Sequence, residues 1–117
     1  MGQHQDFMKL TKERKEVLAK DSAKVMGLFD QMRDSVCCEG TMSFKNKQLV
    51  AVGIAINTHC IQCISHHIKV AIEQGASRKE IIEVIEIAIL MGGGPSRNYG
   101  AIALEVFDEL ISSQESN

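Results

Sequence analysis

Two stretches of this chain, residues 49–56 and 81–91, are apolar on nearly every side, and they limit the folds open to it. The first reads Leu-Val-Ala-Val-Gly-Ile-Ala-Ile. Its valines and isoleucines would suit a strand, but Gly53, the two alanines and the absence of period-two alternation point to a buried helix. The second follows Ser77-Arg-Lys-Glu80, a capping box with Ser77 as N-cap and Glu80 three residues on. It is apolar at 81, 82, 84, 85 and 87–91, which is too dense for a half-exposed surface helix. A chain of 117 residues buries only about 65% of the surface it exposes when unfolded. That is too little protein to cover two such helices completely, so their remainder is expected to be an association surface and the chain a homo-oligomer.

The other segments read as helices of ordinary amphipathicity. Residues 10–19 are charged and helix-prone. From about Asp21, Val25, Leu28, Phe29, Met32 and Val36 follow the i, i+3, i+4, i+7, i+11 spacing of one helix face, with Gly40 available as a left-handed cap. Ser43 is placed as the N-cap of the helix that leads into 49–56. Asn57 or Thr58 is expected to cap the next helix, ending at Gln74 with Gly75 beyond it. Pro95 suits the first turn of a last helix to about Ile111, and residues 112–117 are expected to fray. The chain thus reads as one all-α domain, 1–117, of about six helices.

Composition excludes some partners. The formal net charge is −2, aromatics are 4% and tryptophan is absent, so there is no basic surface excess or stacking platform for nucleic acid and no polybasic case for a membrane. The polar first residues show no secretory pattern, Gly2 is not in a myristoylation motif, and no apolar run nears the ~20 residues of a membrane span. Four cysteines without a secretion signal suggest a reducing cytoplasm, where thiols are catalytic, metal-bound or buried.

Chemistry concentrates in residues 57–67, Asn-Thr-His-Cys-Ile-Gln-Cys-Ile-Ser-His-His. On a helix, Cys60, Cys63 and His67 share one stripe. A first-turn Cys60 lies where unpaired backbone N–H groups favour an anion, and Cys63 has His66 and His67 three and four residues on, within reach for proton exchange. That arrangement suits a dithiol–disulfide cycle. The same residues, with His59 or His66 as a fourth ligand, could hold zinc, although one helix seldom wraps four ligands around a tetrahedral ion. Buried cysteines beside surface histidines are the third reading, and spacing alone leaves all three open. Elsewhere, Gly92-Gly-Gly-Pro-Ser lacks the pattern of a phosphate loop and reads as a helix break. Cys37-Cys38 reads as a helix-end pair with one member buried. Glu80, Glu83 and Glu86 form a carboxylate stripe, and Arg97 and Tyr99 could face the thiols.

Residues 43–105 resemble the carboxymuconolactone decarboxylase superfamily, specifically its alkylhydroperoxidase D-like (AhpD-like) branch. The resemblance is carried by Gln48-Leu49, Cys60-Ile-Gln-Cys63-Ile-Ser-His-His67, Glu73-Gln-Gly-Ala-Ser-Arg-Lys-Glu80 and Ala88-Ile-Leu-Met-Gly-Gly-Gly-Pro95. It implies an all-α fold, oligomers built as trimers or hexamers, and an antioxidant thiol peroxidase or disulfide reductase needing no metal or cofactor. Its partners would be a peroxide or a protein disulfide and a dithiol reductant. The branch motif, E-x11-C-x-H-C-x3-H, implies that Cys63 is the reactive sulfur and Cys60 the proton donor and resolving thiol, and its final histidine falls on His67, the nearest base. Two positions depart from it: glutamate is replaced by Gln48 and the histidine between the cysteines by Gln62. Glutamine carries no proton at neutral pH, so Gln48 is left to orient His67. His59, His66, Glu83 or Glu86 are the accessory groups that could replace the missing relay. The decarboxylase branch, which needs no thiol pair, is the alternative activity.

Overall fold

The structure, a computed structural model, describes residues 2–115. It contains six helices and, among the described residues, no strand: α1 Gln3–Asp21, α2 Ala23–Val36, α3 Phe44–Asn57, α4 Ile61–Glu73, α5 Arg78–Gly92 and α6 Gly94–Glu115. The fold is all-α, as the sequence predicts.

Helices α3 to α6 enclose the core. Val52 and Ile56 of α3 meet Ile64 and Ile68 of α4, Ile81 and Ile85 of α5, and Val106 and Phe107 of α6, in one buried cluster. Both α4 and α5 pack on α3 and on α6, but not on each other, so they stand at opposite corners of the bundle. Gly100 permits the close approach of α6 to α5, since a Cβ there would lie 2.6 Å from Ile85 Cγ2.

Local signals placed most helix ends. Ser43 Oγ accepts the Asn46 amide at 3.1 Å. Ser77 and Glu80 close their capping box reciprocally at 3.1 and 2.9 Å, and the other Glu80 oxygen takes Lys45 Nζ at 3.0 Å, tying α5 to α3. Backbone hydrogen bonding from Ser77, then Lys45, holds the Glu80 carboxyl below the usual carboxylate range. Gly75, at φ +88°, ends α4 as expected.

Three expectations are corrected. Gly40 is not a left-handed cap: α2 ends at Val36 with Cys37 as its C-cap, and Lys47 Nζ donates to the Val36 carbonyl at 3.0 Å, satisfying a terminal acceptor. The first helix begins at Gln3 rather than Leu10, and the last continues through Glu115 rather than stopping at Ile111. The two extensions support one another across the fold. His4 Nε2 meets Glu105 Oε1 at 2.6 Å, the Gln5 amide donates to Glu109 Oε2 at 2.8 Å, and Gln5 Nε2 donates to Ser113 Oγ at 2.9 Å. The expected fraying is therefore absent through Glu115, and residues 116–117 lie outside the described region.

The apolar periodicity of α2 correctly marks a helix, but the chain provides nothing to cover it. Within the described residues α2 packs only on α1 and has no buried residue, with Val25, Leu28, Phe29, Met32 and Val36 each 54–59% exposed. The two all-apolar helices also retain open faces. Val50 and Ile54 of α3 and Ile87 and Met91 of α5 line an apolar groove of about 430 Å³, and Leu90 is 81% exposed. No described helix is both long and apolar enough to cross a membrane. Truncating a core contact should cost far more than truncating these faces: Ile64→Ala is expected to lower stability by about 2–5 kcal/mol, measured by urea unfolding.

Candidate active site

The site is built on the turn joining α3 to α4. Asn57 closes α3, Thr58 is its C-cap, and His59 adopts φ +58°. A left-handed conformation is uncommon for a side-chain-bearing residue and persists where surroundings enforce it. Here the His59 ring stacks on Tyr99 with centroids 4.5 Å apart and planes 9° from parallel. Backbone bonds from His59 to Ile56 and from Cys60 to Ala55, both 3.2 Å, complete the turn. Ser96 Oγ donates to Asn57 Oδ1, anchoring the same turn to α6. Gly92 lies directly against that pair, and a Cβ there would overlap both side chains. Gly92, of the glycine run, is thus a packing requirement of the thiol turn.

This geometry corrects the expected cap. Neither Asn57 nor Thr58 begins α4; the N-cap is Cys60 itself, in extended conformation, with its sulfur accepting the Cys63 amide at 3.2 Å. The left-handed residue reverses the chain within two positions, leaving no room for an earlier start. Cys60 and Cys63 have Cα atoms 5.2 Å apart and their sulfurs are joined as a disulfide. Cys60 is half-buried and Cys63 exposed. Cys37 and Cys38 are free thiols and neither is buried, contrary to the expectation of one buried member: half-buried Cys37 caps α2, and exposed Cys38 donates from Sγ to the Ser35 carbonyl at 3.5 Å.

One turn beyond Cys63 on the same face, His67 Nδ1 lies 2.7 Å from Gln48 Oε1. Gln48 is buried, at 1% exposure. A carbonyl oxygen can only accept, so with this amide orientation Nδ1 carries the proton and Nε2 presents a lone pair. Burial, then the neighbouring His66 and Arg33, lowers the His67 pKa to about 4. His66, edge-on to His67 at 4.9 Å, is also shifted down, by burial and then by Arg33, Lys15 and Lys69. His67 is therefore a neutral imidazole at neutral pH, able to take a proton but offering no fixed positive charge.

The other expected groups divide. His59 is engaged with Tyr99, Gln62 is exposed beside Cys63, and His66 stands against His67. Glu83 and Glu86 are exposed on α5, which does not pack on α4, so the structure does not bring them to the thiols. Glu80 is committed to its cap and to Lys45. Among the described residues no group of three or more His, Cys, Asp or Glu side chains is placed to hold a metal ion. Asn57, Ser96 and Gly92 acquired their role only with the structure, because nothing local to a Gly-Gly-Gly-Pro-Ser run says which turn it packs against.

Comparison with known proteins identifies the family and the fold. A model of the carboxymuconolactone decarboxylase family matches residues 23–106. An uncharacterised protein of Cupriavidus necator is 32% identical over 93 residues, covering 80% of this chain and 82% of its own. A carboxymuconolactone decarboxylase family protein of Legionella pneumophila has the same fold, with TM-score 0.87, 30% identity, and coverage of 91% of this chain and 95% of its own. A Thermotoga maritima protein of that family, for which an antioxidative role has been raised as a possibility, gives TM-score 0.74 at 25% identity, over 79% of this chain and 95% of its own. The chain belongs to the carboxymuconolactone decarboxylase family.

Proposed function

We propose that the protein is a thiol-disulfide oxidoreductase that reduces peroxides or a partner's disulfide through Cys63 and Cys60. The observation that carries this reading is the disulfide between an exposed and a half-buried cysteine at the start of α4, one turn from a neutral histidine. In the reduced protein His67 Nε2 accepts the Cys63 proton, and the thiolate attacks the terminal oxygen of a hydroperoxide. The O–O bond breaks, Cys63 becomes a sulfenic acid, and the departing alkoxide takes the Cys60 proton and leaves as an alcohol. Cys60, whose sulfur accepts the Cys63 amide at the positive end of α4, is held as the resolving thiolate. Its attack on the sulfenic sulfur expels hydroxide, released as water with a proton from His67. The S–S bond formed is then reduced by an external dithiol, returning two thiols. A disulfide substrate follows the same course with a thiolate as leaving group.

Mild peroxide oxidation of the reduced protein should yield an intramolecular 60–63 disulfide by peptide mass mapping, and Cys63→Ser should abolish turnover. Two free thiols at these positions after oxidation, or full activity in Cys63→Ser, would refute the proposal. The second outcome would favour a decarboxylase-type lyase, which needs no thiol.

Burial, then His66 and Arg33, makes His67 a weak base, and Gln48 does not offset this. A neutral amide holds the Nδ1 proton without raising the basicity of Nε2, whereas a carboxylate there would favour imidazolium. Gln48→Glu should move the His67 titration upward from about 4 in an NMR titration and increase the rate of peroxide consumption near pH 7. An unchanged rate with a raised midpoint would remove His67 from the proton path. The same shift bears on stability. Between the ordinary histidine pKa of ~6.5 and the folded value of about 4, the unfolded chain binds a proton that the folded chain refuses. Stability should therefore fall as pH drops through that interval, and this component should disappear in His67→Asn.

The open faces of α2, α3 and α5 support a homo-oligomer, for which the family resemblance implies a trimer or hexamer. Analytical ultracentrifugation of the purified chain should give a single species of at least three copies; a monodisperse monomer would rule this out. A working dithiol also fits a reducing, cytoplasmic compartment.

A further inference from the structure

Two helices of this chain end in the same kind of turn. After α4, the Gly75 amide donates to the Ile72 carbonyl at 3.0 Å and the Ala76 amide to the Ala71 carbonyl at 2.9 Å. After α3, the His59 amide donates to Ile56 and the Cys60 amide to Ala55, both at 3.2 Å. Each pair is the doubled bond of a Schellman motif, in which the residue after the C-cap takes left-handed backbone. Gly75 does so at φ +88° and His59 at φ +58°. Glycine is the usual occupant, because a Cβ there costs roughly tenfold in population. The chain thus uses glycine where the turn only ends a helix, and histidine where the turn leads into the thiols.

The histidine has a partner that glycine would not use. His59 is exposed, yet its ring lies flat on half-buried Tyr99 of α6. A stacked ring pair is worth about two- to tenfold in population, which offsets most of the cost of the left-handed backbone. Cys60 closes this turn and is also the N-cap of α4, with its sulfur accepting the Cys63 amide. The left-handed residue and the Cys60 sulfur therefore cannot move independently. We infer that Tyr99 is a positioning residue for the resolving thiol: by stacking on His59 it holds the left-handed turn, and with it Cys60, in place to attack Cys63. The inference rests on the redox reading above and assigns the stack to one step of it. In that step Cys60 attacks the sulfenic sulfur, the S–S bond forms as the S–O bond breaks, and the oxygen leaves as water.

The test measures how the sulfenic acid partitions. Reduced protein, in a Cys37→Ser/Cys38→Ser background so that no other thiol competes, receives one equivalent of cumene hydroperoxide in the presence of dimedone. Peptide mass spectrometry then gives the ratio of Cys63–dimedone adduct to 60–63 disulfide. This ratio is set after the sulfenic acid has formed, so it does not depend on the rate of the first step. His59→Ala and His59→Gly both remove the ring and differ in backbone freedom. Ala should raise the ratio roughly tenfold, whereas Gly should stay within about twofold of wild type. Tyr99→Leu should raise it about two- to tenfold, Tyr99→Phe, which keeps the ring, should not, and Tyr99→Leu should add nothing in the His59→Gly background. Because His59 is exposed, the Ala and Gly pair remains readable even where Tyr99→Leu folds poorly. Equal ratios in His59→Ala and His59→Gly would overturn the inference, as would a less stable His59→Ala protein with an unchanged ratio. A Tyr99→Leu effect that persists in His59→Gly would overturn the role given to Tyr99. In each of these cases the redox reading stands. Wild-type protein that gives neither adduct nor disulfide would instead refute the redox reading, and this inference with it.

Discussion

The site depends on one tight turn. Between Asn57 and Cys60 the chain reverses through a left-handed histidine, so that a cysteine, not a polar residue of the usual capping set, becomes the first capping group of α4. Left-handed backbone is unfavourable for histidine by about 1–2 kcal/mol and is retained because two contacts hold both sides of the turn. His59 lies flat on Tyr99, and Asn57 accepts from Ser96. Both partners belong to α6, whose close approach is made possible by Gly92 and Gly100. The position of the sulfurs therefore depends on residues more than thirty positions away.

Once Cys60 caps the helix, the two cysteines are unequal without any further device. The Cys63 amide points at the Cys60 sulfur, so the helix terminus favours charge on Cys60, while Cys63 is exposed and shares its face with His67. Helix-terminus electrostatics alone would name Cys60 as the attacking thiol, whereas the family resemblance names Cys63. The geometry distinguishes the two: Cys63 is exposed and one turn from a neutral imidazole, and Cys60 is half-buried at the N-terminus of α4. Burial, then His66 and Arg33, keeps that base neutral. The Gln48 carbonyl fixes the imidazole tautomer but does not stabilise the protonated ring, as the glutamate of the family motif would.

The surface carries two kinds of unfinished business for the isolated chain. The faces of α2, α3 and α5 expose large aliphatic side chains that no described residue covers, and they call for another apolar surface. A groove beside α4 is instead lined by Lys9, Lys12, Lys15, Arg33 and Lys69 together with Phe7 and Met8. The two surfaces differ in chemistry.

Much of the fold was legible from local pattern. The capping box at Ser77, the cap at Ser43, Gly75 after α4, Pro95 in the first turn of α6 and the apolar density of α3 and α5 each act through neighbours within about four positions. They mark helices α3 to α6 whatever else the chain does. The candidate chemistry at Cys60, Cys63 and His67 was equally local, since one helical turn relates each to the next. What local pattern could not supply was everything resting on distant partners. The ends of α1 and α6 are extended by polar contacts joining residues about a hundred apart. The apolar stripe of α2 marks a helix but not a place in the core. Glu83 and Glu86 have a suitable spacing, yet α5 stands at the opposite corner from α4. The cap at Cys60 follows from packing against α6. Sequence alone determined which segments are helical and which side chains could do chemistry, because hydrogen bonding and side-chain period are short-range. Only the tertiary structure decided which of those side chains meet, because packing of helices far apart in the chain sets the distances between them.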